Sequence, residues 1–289
     1  MREQSAHRLL RPSRLPGKGT ALWRVLGIAV LAGMAAPAEA QPASVLSESR
    51  LIRVLRAQVN DDPAAVITAL AIHPSGDLLA AAGDDHVVRL WNFADGELLS
   101  EQVGHADWVR SAAFSQRGDE LFTAAADGKV LAWYPTRRTP PKTVFARDAA
   151  LLSLALTQDG QLAVLAGFDG PIQMVGTKGQ RSLRQVSCAC EHIRTVAISA
   201  DGSTLACGGC DGQVFIWSLQ TGELRHTLPA HSRRINCMTF DPEEPWLITA
   251  GDDRRICLWD CERGTQVACV SSGRAKVLSL AALGQGGLA

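Results

Sequence analysis

Two adjacent aspartates, Asp252 and Asp253, lie in the stretch ITAGDDRRICLWD, residues 248 to 260, between two short apolar runs. Paired carboxylates can ligate a divalent cation or share the work of general acid and general base. Eight cysteines, all between Cys188 and Cys269, are a second source of chemistry. Their thiolates can hold zinc, and their thiols can pair as disulfides. Seven histidines are a third, as bases or metal ligands. Recurrence separates catalysis from architecture: a catalytic pair occurs once, whereas an architectural residue returns with every copy of its element.

Asp253 does recur. Steps of 42 residues back from it land on Asp211, Asp169, Asp127 and Asp85, and the same steps from Trp259 land on Trp217, Val175, Trp133 and Trp91. A third series is Gly76, Gly118, Gly160 and Gly202, with Glu244 at the fifth position. These glycines stand in settings such as PSGD and ADG, where a turn needs the positive φ that glycine supplies. Between the turns lie VRSAAFS, ELFTAAA, KVLAWYP and, more weakly, KTVFA. Runs this short, bounded by Gly, Asp and Pro, predict strands. Five in-phase units of four strands, each 42 residues long, have the period of propeller blades.

At this point the chain resembles the WD-repeat β-propeller family. LWNFADG, VGHADWVRSAAFS, VFIWSLQTGE and ICLWDCERG carry the resemblance, which covers about residues 50 to 289. It implies an all-β propeller of four-stranded antiparallel blades, with five complete repeats and a partial terminal one. It also implies that each blade is held by a buried network of His, a hydroxyl, the turn Asp and Trp. His105, Thr123, Asp127 and Trp133 fit that pattern, as do His231, Thr249, Asp253 and Trp259 at identical spacing. The other blades keep only parts of it: Asp85 and Trp91, Asp211 and Trp217, and Asp169 alone. Repeat 3, with Val175 for Trp and Pro171 at a strand start, is expected to form a loosely held blade. Asp252, whose equivalents are Asp84, Ala126, Phe168 and Cys210, is expected to be a surface residue free to touch a partner.

Residues 50 to 57, SRLIRVLR, are expected to supply the outer strand of a closing blade, and residues 275 to 289 restart the repeat. The next Asp and Trp would fall at 295 and 301, so the propeller is expected to be incomplete at its C-terminus. Residues 1 to 40 differ from the rest. Six basic residues precede the apolar run VLGIAVLAGMAA, and Pro37 and Ala38-Glu39-Ala40 follow it. This is the pattern of an export signal cleaved after Ala40, with 41 to 49 as a linker. Twelve apolar residues are too few to span a bilayer comfortably, so no stable membrane span is expected after cleavage. The expected location is periplasmic or secreted, and the alternative is cytoplasmic. The 29 basic and 29 acidic residues lack the basic excess of a nucleic-acid-binding protein.

Cys188, Cys190, Cys207 and Cys210 fall on connections that share one face of a propeller, so a disulfide from Cys188 or Cys190 to Cys210, a zinc site or inert thiols are all open. His73, His86 and His226 have no recurring acidic partner and read as solvated or satisfied. No phosphate-binding glycine loop, His-Glu-x-x-His pair, calcium loop or haem-attachment motif occurs, so neither metal nor cofactor is expected. The remaining candidates are loop residues on the face of the turn aspartates: Trp108, Phe168, Glu191, His192, Arg233 and Arg234. Aromatics with arginines are the composition of interface hot spots. The expected function is therefore a non-catalytic, exported scaffold for protein or peptide partners. One alternative is a propeller enzyme or metal-dependent hydrolase working in the central channel, and another is an intracellular scaffold.

Overall fold

The computed structural model describes residues 65 to 281 other than 138, 180, 181 and 191. The leader, the linker, the SRLIRVLR segment and residues 282 to 289 lie outside the described residues. All regular structure within them is strand, in five four-stranded antiparallel sheets. Blade 1 holds β1 (Ile67–Ile72), β2 (Leu78–Gly83), β3 (Val87–Asn92) and β4 (Leu98–Val103). Blade 2 holds β5 (Val109–Phe114), β6 (Leu121–Ala125), β7 (Lys129–Trp133) and β8 (Lys142–Ala146). Blade 3 holds β9 (Leu151–Leu156), β10 (Leu162–Gly167), β11 (Ile172–Gly176) and β12 (Ser182–Val186). Blade 4 holds β13 (Ile193–Ile198), β14 (Thr204–Gly209), β15 (Gln213–Ser218) and β16 (Leu224–Pro229). Blade 5 holds β17 (Ile235–Phe240), β18 (Trp246–Gly251), β19 (Arg255–Asp260) and β20 (Thr265–Ser271).

Sequence pattern sets each strand's place. The second strands are near-continuous apolar runs, and β6, β14 and most of β10 are buried along their length because a neighbouring blade covers each sheet face. The fourth strands alternate or are mostly polar, as in LLSEQV and SLRQV, and lie at the exposed outer edge. First strands adjoin in chain order, β1 to β5 to β9 to β13 to β17, which places them nearest the common axis. Side chains also tie blade to blade: Ser111 Oγ donates to the Leu154 carbonyl, and Ser153 Oγ accepts from the Val196 N–H at 3.1 Å. Asn236 Nδ2 donates to the Val277 carbonyl at 2.9 Å, so the buried Val277 sits against β17 as a next first strand would.

Blade 3 is not loosely held, contrary to expectation. Its four strands are paired, and Val175 and Leu165 are both fully buried at the Trp and hydroxyl positions. An apolar pair leaves no polar group to satisfy, so packing takes the place of the network. Pro171 precedes β11 and removes no ladder hydrogen bond.

Every first strand shifts register at the same point. The extra residue is Thr68, Arg110, Leu152, Arg194 or Asn236, again at intervals of 42. A bulge here re-aims one side chain per blade at one end of the axis. The turn after each second strand lies at that same end. There Gly128 and Gly212 have φ of 76° and 77°, and a Cβ on either would meet a backbone carbonyl at 2.0 or 2.2 Å. On β1, Ile67, Leu70 and Ile72 are 44, 49 and 55% exposed, whereas Ile193, Val196, Ile235 and Met238 on later first strands are buried.

Candidate functional site

His105 lies in the connection before β5, Thr123 on β6, Asp127 in the turn after it and Trp133 on β7. His105 Nδ1 is 3.0 Å from Asp127 Oδ2, and its Nε2 is 2.7 Å from Thr123 Oγ1. The Trp133 indole N–H donates to the same hydroxyl at 2.7 Å. Thr123 therefore accepts from Trp133 and donates to a lone pair on Nε2, while Nδ1–H donates to the carboxylate. This assignment uses a neutral imidazole. Burial lowers the pKa of His105 although Asp127 opposes the shift. Burial also pushes the Asp127 carboxyl up, but N–H groups of Ala106 and Lys129, together with His105, hold it below its ordinary value.

Blade 5 repeats the arrangement. His231 Nδ1 is 2.9 Å from Asp253, His231 Nε2 is 2.8 Å from Thr249 Oγ1, and Trp259 donates to that hydroxyl at 3.0 Å. Both carboxylates are also bonded by backbone N–H groups at the head of the blade, from Ala106 and Ser232. With their lone pairs occupied and their side chains 6 and 4% exposed, neither is presented to a substrate.

The remaining blades solve the same problem with other residues. In blade 1, Asp85 pairs with Arg89, whose Nε donates to Glu101 at 2.7 Å. Arg89 is only 7% exposed and was not anticipated. Its one signal is a charge inside the apolar run VVRLW. Trp91 and Trp217 are buried, and Asp211 accepts from the Gln213 N–H and from Cys190 Sγ. Asp169 is the exception. It is exposed, and Arg147, standing where blades 2 and 5 have His, instead bonds the Ala149 and Ala150 carbonyls.

The proposed pairing of Cys188 or Cys190 with Cys210 is not formed. Cys210 is exposed on its turn, whereas the Cys188 sulfur lies 3.6 Å from that of buried Cys207, and none of the four is in a disulfide. Cys190 acts to lower the Cys188 thiol, but Cys207 and burial together push it up to about 12. The disulfide instead joins Cys257 to Cys269, directly opposite each other on β19 and β20. No group of three or more His, Cys, Asp or Glu side chains among the described residues is arranged to hold a metal ion.

The candidate partner-contact residues gather at the end of the axis that carries the bulges. Trp108 and Phe168 are 43 and 41% exposed. His192 stacks edge-on against Phe168 at 5.7 Å, and Arg233 is exposed in the connection before β17. Glu191 lies outside the described residues. Asp252 is not free, contrary to expectation: it accepts from Arg234 Nη2 and Asn236 Nδ2 at 2.9 Å each, with Lys276 Nζ 3.4 Å away. Its side chain is 11% exposed. Sequence could not show this, because Asn236 and Lys276 come from the blade's first strand and from the segment after its last.

A family model described as "WD domain, G-beta repeat" matches residues 49–92, 96–134, 181–218 and 222–260. The unmatched interval contains most of blade 3. Apoptotic protease-activating factor 1 of Danio rerio is 26% identical over 199 residues, covering 66% of this chain and 15% of that protein. Nuclear distribution protein PAC1-1 of Uncinocarpus reesii is 27% identical over 226 residues, 70% of this chain and 50% of its own length. The U5 small nuclear ribonucleoprotein 40 kDa protein of Dictyostelium discoideum is 26% identical over 244 residues, 66% and 69% respectively. The chain thus spans half or less of the first two.

Proposed function

The chain belongs to the WD-repeat family, and from that membership we propose that it is a non-catalytic platform that binds protein or peptide partners at the end of the axis carrying Trp108, Phe168, His192, Arg233 and Arg234. Family membership carries the scaffold role. The observation that supports its assignment to this end is the division of labour between neighbouring residues. The aspartates and histidines of the two complete networks are engaged inside the blades, while Trp108, Phe168 and Arg233 remain exposed at the same end. An exposed aromatic set with arginines suits a hot spot.

Trp108→Ala and Phe168→Ala test the assignment. Crosslinking followed by peptide mapping should place bound partners on the β4–β5, β10–β11 and β16–β17 connections, and each substitution should weaken capture without shifting the unfolding midpoint. Partners mapped only to the outer strands β4, β8, β12, β16 and β20 would contradict it. The enzymatic alternative predicts the reverse for Asp127→Asn or Asp253→Asn: an activity lost with stability unchanged.

Location has two readings. The relatives' names, a nuclear distribution protein and a small nuclear ribonucleoprotein component, favour an intracellular platform over the exported one. Residues 25 to 40 and the Cys257–Cys269 bond support export, since disulfides persist in oxidising compartments. The mature N-terminus decides between them: Gln41 in an extracytoplasmic fraction means export, and retention of residues 1 to 40 in a cytosolic fraction means an intracellular platform.

A further inference from the structure

Among the described residues, four buried side-chain polar atoms have no hydrogen-bond partner, and three of them are arginine Nε atoms: those of Arg110, Arg194 and Arg234. Buried donors left without an acceptor are costly and call for an explanation. Two of these arginines, Arg110 and Arg194, are bulge residues of first strands, 84 positions apart at twice the repeat, and so are directed to one end of the axis. Arg234 precedes the bulge of β17, where Asn236 holds the equivalent place.

Immediately around Arg194 the charges do not balance: Arg234 and Arg110 act on it as like charges, and Asp252 is the carboxylate that opposes them. Arg234 and Lys276 both pair with Asp252, which Asn236 also bonds. Among the described residues Arg110 and Arg194 form no ion pair. Arg110 lies over the exposed Trp108 ring at 4.5 Å. Burial lowers the pKa of Arg194, and the like charges of Arg234 and Arg110 add to that effect. Arg110, Arg194 and Arg234 thus lie near one carboxylate, Asp252, with which Lys276 also pairs.

We propose that this end of the axis is an anion-binding site that takes an acidic segment of a peptide partner, with its carboxylates on the half-buried guanidinium groups of Arg110 and Arg194. The proposal rests on the platform reading and names the chemistry of the guest. Guanidinium forks match carboxylates in two-point geometry. Confinement of the excess charge to one spot, with Trp108 at its rim, suits a peptide. Nucleic acid would need an extended basic track along its backbone.

Selection of random displayed peptides on the full chain, followed by affinity measurement on synthetic copies, tests this. Selected peptides should be enriched in Asp and Glu, and their Asn and Gln counterparts should bind at least about tenfold more weakly. Arg110→Gln and Arg194→Gln should each lose about tenfold in affinity while Arg117→Gln, in an exposed turn at the other end of β5, should not. Thermal unfolding of each variant guards against misfolding. The wild type gives an independent readout, since acidic-peptide affinity should fall with added salt. Selected peptides without acidic enrichment, unchanged affinity in Arg194→Gln, or preference for an RNA oligonucleotide would overturn the proposal. The first of these leaves the platform reading standing. Failure to select any peptide would count against both.

Discussion

In each complete network a threonine hydroxyl joins the histidine to the tryptophan. Thr249 accepts from Trp259 and bonds His231 Nε2, so Thr249→Val strands an indole N–H and an imidazole nitrogen together. We expect a loss of about 1 to 3 kcal/mol in denaturant unfolding for Thr249→Val, and a much smaller loss for Thr249→Ser, which keeps the hydroxyl. Equal losses would show that the methyl group rather than the hydroxyl matters. Protonation acts on the same network. The pKa of His105 is lowered on folding, so the unfolded chain takes up its proton first and stability falls as pH drops below about 6.5. The Asp127 pKa is also lowered; its contribution is present above the ordinary carboxylate value of 3.8 and is lost as pH falls through the folded value. Melting temperatures should therefore decline from neutral to mildly acidic pH, and a flat profile would contradict the neutral-imidazole assignment. Both networks were legible in the sequence because their spacing repeats. Arg89 with Asp85, and Asp252 with Asn236 and Lys276, were not, because each is a local solution found once and assembled from segments with no fixed spacing.

At the scale of the element, the 42-residue pitch carried the strand order and the turn positions, but it misjudged blade 3. A missing Trp suggests weakness there, whereas Val175 is fully buried within the apolar core. Restoring the repeat's own residue should therefore harm it: Val175→Trp is expected to cost about 1 to 3 kcal/mol by overpacking, measured by equilibrium unfolding. A stabilised variant would reveal unfilled space there. The turns give a companion test. Gly128 has φ of 76°, and a Cβ would meet the Arg147 carbonyl at 2.0 Å, so Gly128→Ala should destabilise blade 2 and its packing on blade 3. Hydrogen exchange would then quicken first in β7, β8 and β9. The bulges were invisible in the sequence, because a one-residue register shift leaves no mark on an apolar strand pattern. Only the structure shows that Arg110 and Arg194 are aimed alike.

For the whole molecule, we propose that recurring acids hold the blades and that binding belongs to the residues exposed above them. Blades stacked through their first strands share neighbours only in chain order, so networks in blades 2 and 5 have no common partner. Energetic effects at sites so separated should add within about 0.5 kcal/mol. The most direct measurement is denaturant unfolding of Asp127→Ala, Asp253→Ala and the double variant, with capture of a bound partner followed in parallel. We expect each single variant to lose about 1 to 3 kcal/mol, the double variant to lose the sum, and partner affinity to persist wherever the protein remains folded. Unchanged stability in both single variants, accompanied by loss of a reaction or of binding, would contradict the claim and return the aspartates to chemistry.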